Sequence, residues 1–90
     1  MVLFPLGQVV ATQRALRALQ KAEQEPQEFL NKHVNGDWGD VPEEDRQENE
    51  FSIQRGLRIL SAYTTSAGEH IWVITEADRS ATTILLPSEY

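Results

Sequence analysis

The chain has 90 residues, 40% of them hydrophobic, which is enough for one modest core and therefore for a single domain over residues 1–90. Because it contains no cysteine, a disulfide scaffold, a thiolate zinc site and a cysteine nucleophile are excluded. The net charge of −6 disfavours simple electrostatic binding to the phosphate backbones of DNA or RNA.

Two helices are predicted in the first part of the chain. An apolar run over residues 6–11 is a candidate edge strand, and Thr12 after it is a suitable N-cap for the first helix. Pro26 suits the first position of a second, short helix that should end at residues 35–36. The apolar positions at helical spacing are Ala15, Leu16, Leu19 and Ala22 in the first helix, and Phe29, Leu30, His33 and Val34 in the second.

A third helix, rich in acidic residues, is predicted in the middle of the chain. Asp40 and Glu43 have the spacing of a capping box, so the helix should begin there and run to about Arg55, with Gly56 as its stop. Seven acids in this region are offset by Arg46 alone: Asp37, Asp40, Glu43, Glu44, Asp45, Glu48 and Glu50. The segment is either a solvated helix face or an acidic patch that binds a basic partner or imitates phosphates.

Three strands are predicted in the last third of the chain. The hydrophobic period changes to two after residue 56, and residues 67–68 suit a two-residue hairpin turn between strands over 57–65 and 69–76. Pairing of Glu76 with Ala81 would add a third antiparallel strand. The predicted fold class is α+β, with the N-terminal helices packed on a three-stranded antiparallel meander beside the candidate edge strand.

The predicted register assigns each strand residue to one of two faces. It places Tyr63 opposite Trp72, on the face away from the core. The pair is either a cross-strand contact covered by another segment, or an exposed aromatic platform for a protein partner or a second copy, with Glu76 and Arg79 at its rim. A slip of one residue would exchange the faces. The predicted core face carries Leu60, Ala62, Ile71, Val73, Ile84 and Leu86.

The ionic turn over residues 75–80 has a structural and an enzymatic interpretation. In the first, Asp78 caps backbone amides and Arg79 pairs with a carboxylate. In the second, Glu76 or a histidine acts as general base and Arg79 neutralises a phosphoryl transition state. His33 and His70 are the two histidines of the chain. In its coarse order of helices and antiparallel strands the chain resembles the metal-free ribonucleases of the barnase and RelE-like group.

A second resemblance extends over nearly the whole chain. The segments 6–12, 36–40, 71–80 and 82–87 resemble blocks of a family of small bacterial proteins described as plasmid-related. This resemblance implies a bacterial context, often on mobile elements. It also implies that the Gly-Asp-Trp-Gly loop and the Thr-Glu-Ala-Asp-Arg-Ser turn are the segments that recur in the family. It implies no activity.

These observations predict a small cytoplasmic interaction or accessory protein that binds a protein partner or forms a homodimer; the alternative is a metal-independent ribonuclease or toxin. No apolar run approaches the roughly 18 residues of a membrane span, and no cofactor or metal is expected. The candidate catalytic residues are Glu76, Arg79, His33 and His70. The candidate partner-binding residues are Tyr63, Trp72, Glu76, Asp78, Arg79, Asp37 and Trp38.

Overall fold

The fold, known from a computed structural model that describes residues 2–90, is α+β as predicted. Its elements in chain order are β1 Gln8–Ala11, α1 Gln13–Lys21, α2 Pro26–Val34, α3 Glu43–Arg55, β2 Ile59–Thr64, β3 His70–Thr75, β4 Ala81–Leu85 and a 3₁₀ turn, Pro87–Glu89. Within residues 2–90 no helix is long and apolar enough to cross a bilayer.

The sheet has four strands in the order β1-β4-β3-β2. Strands β2, β3 and β4 form the predicted antiparallel meander. The candidate edge strand is confirmed as β1, but it runs parallel to β4, with Val10 paired to Thr83. The sheet is therefore mixed, and a three-stranded antiparallel meander describes only part of it. A parallel neighbour requires a long crossover, which here includes all three helices.

Local signals set the starts of α1 and α2 as predicted. The Thr12 side chain accepts a hydrogen bond from the Ala15 amide at 3.0 Å, and Pro26 occupies the first turn of α2. All four apolar positions predicted for α2 are buried. In α1 the prediction for Leu16 is wrong, because its side chain is 42% exposed while Ala18 is buried instead.

Helix α3 ends as predicted but begins differently. Gly56 has φ = 67° at its C-terminus, a left-handed conformation that suits glycine. The N-cap is Pro42, which makes no side-chain cap, so the predicted capping box is wrong. The Asp40 carboxylate instead accepts a hydrogen bond from the Thr64 hydroxyl at 2.8 Å. This contact ties the start of α3 to strand β2.

The register between β2 and β3 differs by one residue from the prediction. Tyr63 pairs with Ile71, and Trp72 pairs with Ala62. The connecting loop has three residues, because the Thr65 amide donates to the Glu69 carbonyl at 2.8 Å. Gly68 takes the left-handed conformation, with φ = 86°, that ends such loops. One extra loop residue turns every side chain of β2 to the other face of the sheet.

As a result, Tyr63 and Trp72 lie on opposite faces, and the predicted aromatic platform does not form. Tyr63 is buried in the core, and Trp72 is on the face away from α1 and α2. The predicted pairing of Glu76 with Ala81 is confirmed by an amide-to-carbonyl bond of 3.0 Å. The core face thus keeps Ile71, Val73 and Ile84 as predicted, but β2 contributes Ile59, Ser61 and Tyr63 in place of Leu60 and Ala62.

Candidate functional site

A chain of hydrogen bonds crosses the core from His33. Its Nδ1 lies 2.5 Å from Ser61 Oγ, and its Nε2 lies 2.9 Å from Thr75 Oγ1. The Thr75 hydroxyl lies 2.7 Å from the hydroxyl of Thr82. The Thr82 hydroxyl in turn donates to the Leu6 carbonyl at 2.7 Å. The four side chains are 0% exposed. The network thus joins helix α2, three strands and the N-terminal segment inside the protein.

Each hydroxyl has one proton to donate, so the direction of donation along this series of hydrogen bonds is fixed. Thr82 donates to Leu6, and Thr75 must therefore donate to Thr82. The Thr75 oxygen then accepts from Nε2–H of His33, which leaves Nδ1 as the acceptor for Ser61. Burial lowers the pKa of His33 to about 4, so the ring is neutral at pH 7. His33 is a structural histidine here, closed to any substrate.

Arg79 is occupied by main-chain carbonyl groups. Its Nη1 donates to the Leu57 carbonyl at 2.7 Å, and its Nη2 donates to the Ser52 carbonyl at 3.0 Å. Nη1 also lies 3.1 Å from the carbonyls of Glu76 and Ala77. The guanidinium therefore joins the β3–β4 turn to the C-terminal end of α3, where a positive charge is favourable. The predicted pairing of Arg79 with a carboxylate is not observed within residues 2–90.

The remaining residues of the turn and the second histidine are exposed. The Asp78 carboxylate accepts from the Ser80 amide at 2.9 Å, the predicted capping role, and bonds from Ser80 lower the pKa of Asp78. Glu76 follows β3 and His70 begins it, so about 20 Å separates them along the strand. With His33 buried, the structure does not bring the four candidate catalytic residues together.

The loop of residues 36–40 is anchored in the core by Trp38. Trp38 is 1% exposed, stacks on Phe4 with ring centroids 6.2 Å apart, and donates from Nε1 to Glu50 at 3.3 Å. Phe4 also lies beneath the Arg79 guanidinium, 5.7 Å from its ring centroid. The loop and the ionic turn therefore both contact Phe4. This buried side chain fills the space between them, so they do not form a cleft there.

The loop also closes the outer edge of β2. Gly39 packs so closely on the strand that an added Cβ would lie 2.0 Å from the Ala62 carbonyl oxygen. The Tyr63 hydroxyl donates to the carbonyl of Asp37 at 2.6 Å, and burial raises the pKa of Tyr63. Asp37 and Trp38 are thus held in the fold by their backbone and indole, and only the Asp37 carboxylate reaches the surface.

Trp72 is covered in part by the last residue of the chain. Its ring centroid lies 5.5 Å from that of Tyr90, in an edge-to-face arrangement. Arg58 donates to the Tyr90 hydroxyl and lies over its ring, 5.2 Å from the centroid. The aromatic contact predicted between Trp72 and Tyr63 is thus made with Tyr90, a residue 62% exposed.

Helix α3 presents the acidic helix surface, defined as Glu43, Glu44, Asp45 and Glu48. All four side chains are exposed, and none has a hydrogen-bond or salt-bridge partner within residues 2–90. Segment 37–50, which contains them, has seven acids and one base, a net charge of −6. This equals the charge of the whole chain, since the seven remaining acids are balanced by seven bases. The unbalanced charge of the protein is therefore confined to one segment.

The sequence did not predict the structural role of several residues that organise the fold. Asn49 bonds both backbone groups of Leu60, donating to the carbonyl at 2.7 Å and accepting from the amide at 3.1 Å. Ser61, Thr75 and Thr82 are polar residues at inward positions of the strands. Such positions normally carry apolar side chains, which is the signal that could have revealed them.

Within residues 2–90 no three histidine, aspartate or glutamate side chains are grouped to hold a metal ion.

Comparisons with protein-family models, with curated proteins and with solved structures return no match to this chain.

Proposed function

We propose that the protein is a non-enzymatic interaction module that binds a basic protein surface through its acidic helix surface. The observation that carries this proposal is the confinement of the whole net charge to segment 37–50, with four exposed carboxylates that have no partner within residues 2–90. The proposed setting is the bacterial, mobile-element context that the sequence resemblance implies, in the cytoplasm.

The charge distribution favours a partner for a physical reason. Like charges one helical turn apart, such as Glu44 and Glu48, destabilise a helix by a few tenths of a kcal/mol per pair. Lysine or arginine side chains from a partner would replace this repulsion with attraction. Concentrated surface charge also steers an oppositely charged protein during its approach, which raises the association rate more than the final affinity.

The positions of the candidate catalytic residues favour binding over hydrolysis. His33 is buried with both ring nitrogens bonded, Arg79 is committed to main-chain carbonyls, and Glu76 lies far along the strand from His70. A ribonuclease needs its base and its cation within hydrogen-bond reach of one phosphate. The aromatic platform drawn from the sequence is replaced by the acidic helix surface as the proposed contact.

Affinity capture from a bacterial lysate tests this proposal, with two charge-neutralised variants of equal size. The Glu44→Gln/Glu48→Gln variant alters the acidic helix surface, and the Glu25→Gln/Glu28→Gln variant alters two exposed carboxylates at the start of α2. We expect a basic protein that the unmodified chain and the α2 variant retain equally, and that the α3 variant retains at least tenfold less. Retention should fall as salt is raised, because added salt shortens the Debye length, about 8 Å at physiological ionic strength, beyond which exposed charges are screened from each other.

Two results would overturn the proposal. One is a captured partner that the α3 variant retains as well as the α2 variant does. The other is the absence of any bound protein, a second copy of the chain included, whose binding depends on salt and on Glu44 and Glu48.

A further inference from the structure

Helix α1 has the opposite charge to α3. It contains Arg14, Arg17 and Lys21 and no acidic residue. Their spacing of three and four residues places the three side chains in one row along the helix. All three are exposed, and among them only Lys21 has a salt bridge within residues 2–90, to Glu69 at 3.6 Å. The three cations are defined here as the basic row.

A groove of about 570 Å³ lies beside the basic row. Its apolar floor is formed by Ala18 and Leu86, and Glu69 borders it. Exposed cations beside an apolar floor suit a partner that combines carboxylates with one large apolar side chain.

Helix α3 carries that combination on its exposed side. Glu44, Glu48 and Phe51 follow each other at a spacing of four and three residues, so they form one row, defined here as the acidic row. Phe51 is 48% exposed, the most exposed aromatic ring of the helices. Each row spans eight residues of helix, a length of about 10 Å between its first and last residue. The two rows therefore match in length and are opposite in charge.

We infer that the basic row of one molecule binds the acidic row of a second copy of the same chain. The inference rests on the proposed function, because it names the basic partner of the acidic helix surface as α1 of another molecule. In this contact Glu44 and Glu48 face the arginines, and Phe51 enters the groove over Ala18 and Leu86.

The expected affinity is modest. Two molecules of charge −6 repel each other at long range, and a contact between two single helices buries less than the roughly 1,600 Å² of a stable protein interface. At physiological salt the repulsion is screened beyond about 8 Å, while the contacting pairs keep their attraction. Self-association should therefore have a dissociation constant in the range of about 10 μM to 1 mM.

Sedimentation equilibrium of the purified chain, and of charge-reversed variants, tests the inference. Arg14→Glu/Arg17→Glu makes both rows acidic, and Glu44→Lys/Glu48→Lys makes both rows basic. We expect each variant alone to associate at least tenfold more weakly than the unmodified chain. An equimolar mixture of the two should associate again, because each supplies the row that the other lacks. The Glu25→Lys/Glu28→Lys variant is the matched control and should associate normally.

Phe51→Ala tests the apolar part of the contact. The side chain is half exposed, so the variant should fold and should weaken association about threefold to tenfold. Circular dichroism and thermal unfolding of each variant establish that the fold is kept.

The inference is overturned if the unmodified chain is monomeric up to millimolar concentration, if either reversal leaves association unchanged, or if the mixture does not associate. A monomeric chain that still captures a basic lysate protein through Glu44 and Glu48 would refute the inference while leaving the proposed function intact. A chain that neither self-associates nor captures a partner would refute both.

Discussion

His33 Nδ1 lies 2.5 Å from Ser61 Oγ in the core, and the order of donors along the network makes Ser61 the donor in this bond. A proton added to Nδ1 would face a hydroxyl that is already donating. Desolvation and this donor order both oppose the imidazolium form, and burial lowers the pKa of His33 to about 4 from its ordinary value of 6.5.

Protonation of His33 should therefore link stability to pH. The folded pKa is below the unfolded one, so the unfolded chain binds the proton first as pH falls from about 6.5 to 4. The contribution of His33 to the free energy of unfolding is therefore fully present above pH 6.5, and it falls by about 3 kcal/mol by pH 4. Urea unfolding of the unmodified chain and of His33→Gln between pH 7 and 4 measures it. The free energies of unfolding of the two proteins should converge as pH falls.

His70→Gln is the control for this experiment, since His70 is exposed. Its free energy of unfolding at pH 7 should stay close to that of the unmodified chain, because only an exposed side chain is replaced. Parallel curves for His33→Gln and the unmodified chain would contradict the assignment of a depressed pKa to His33.

Replacement of Arg79 should destabilise the turn and the end of α3 together. Lysine keeps the charge but cannot reach the Leu57 and Ser52 carbonyls with two separate nitrogens. We expect Arg79→Lys to lower the free energy of unfolding by about 1–3 kcal/mol. Chemical denaturation measures the loss, and Arg55→Lys, at an exposed position of α3, should cost less than about 0.5 kcal/mol. Equal stabilities for the two variants would refute a joining role for Arg79.

Alanine substitutions at two glycines with similar backbone angles distinguish the cost of backbone strain from the cost of steric overlap. Gly39 has φ = 75° and Gly68 has φ = 86°, but only at Gly39 would a Cβ meet other atoms, the nearest being the Ala62 oxygen at 2.0 Å. Gly68→Ala should cost the roughly 1–2 kcal/mol of a left-handed alanine. Gly39→Ala should cost at least about 3 kcal/mol, because the loop must also leave β2. Thermal unfolding of both variants tests this order, and equal losses would contradict it.

Asn49 should be among the most sensitive polar positions of the chain. Alanine at this position would leave the amide and the carbonyl of Leu60 without their partner. We expect Asn49→Ala to lower the free energy of unfolding by about 2–3 kcal/mol, since each unmade bond of a partly buried group costs about 1 kcal/mol or more. Asn31→Ala removes only an exposed bond to Gln27 and serves as the control. A loss at Asn49 no larger than at Asn31 would show that water replaces the side chain at the edge of β2.

Features that depend on one turn of chain were predictable from the sequence. Thr12 caps α1, Pro26 begins α2 and Gly56 ends α3, because a cap or a stop is made by groups within four residues of each other. The alternation of apolar residues likewise located the three antiparallel strands, and the count of acids located the acidic helix surface. These features follow from local geometry and from composition, which the sequence contains directly.

The tertiary structure decided which distant groups meet. A single extra residue in the loop ending at Gly68 moved Tyr63 into the core and separated it from Trp72. Ser61 lies 28 residues from His33 in sequence, and the Leu57 carbonyl lies 22 residues from Arg79. Such contacts depend on register and packing, where small differences in backbone path change the partner of a side chain. The sequence by itself therefore determined the elements and the site of the charge, and packing determined that His33 and Arg79 have structural roles.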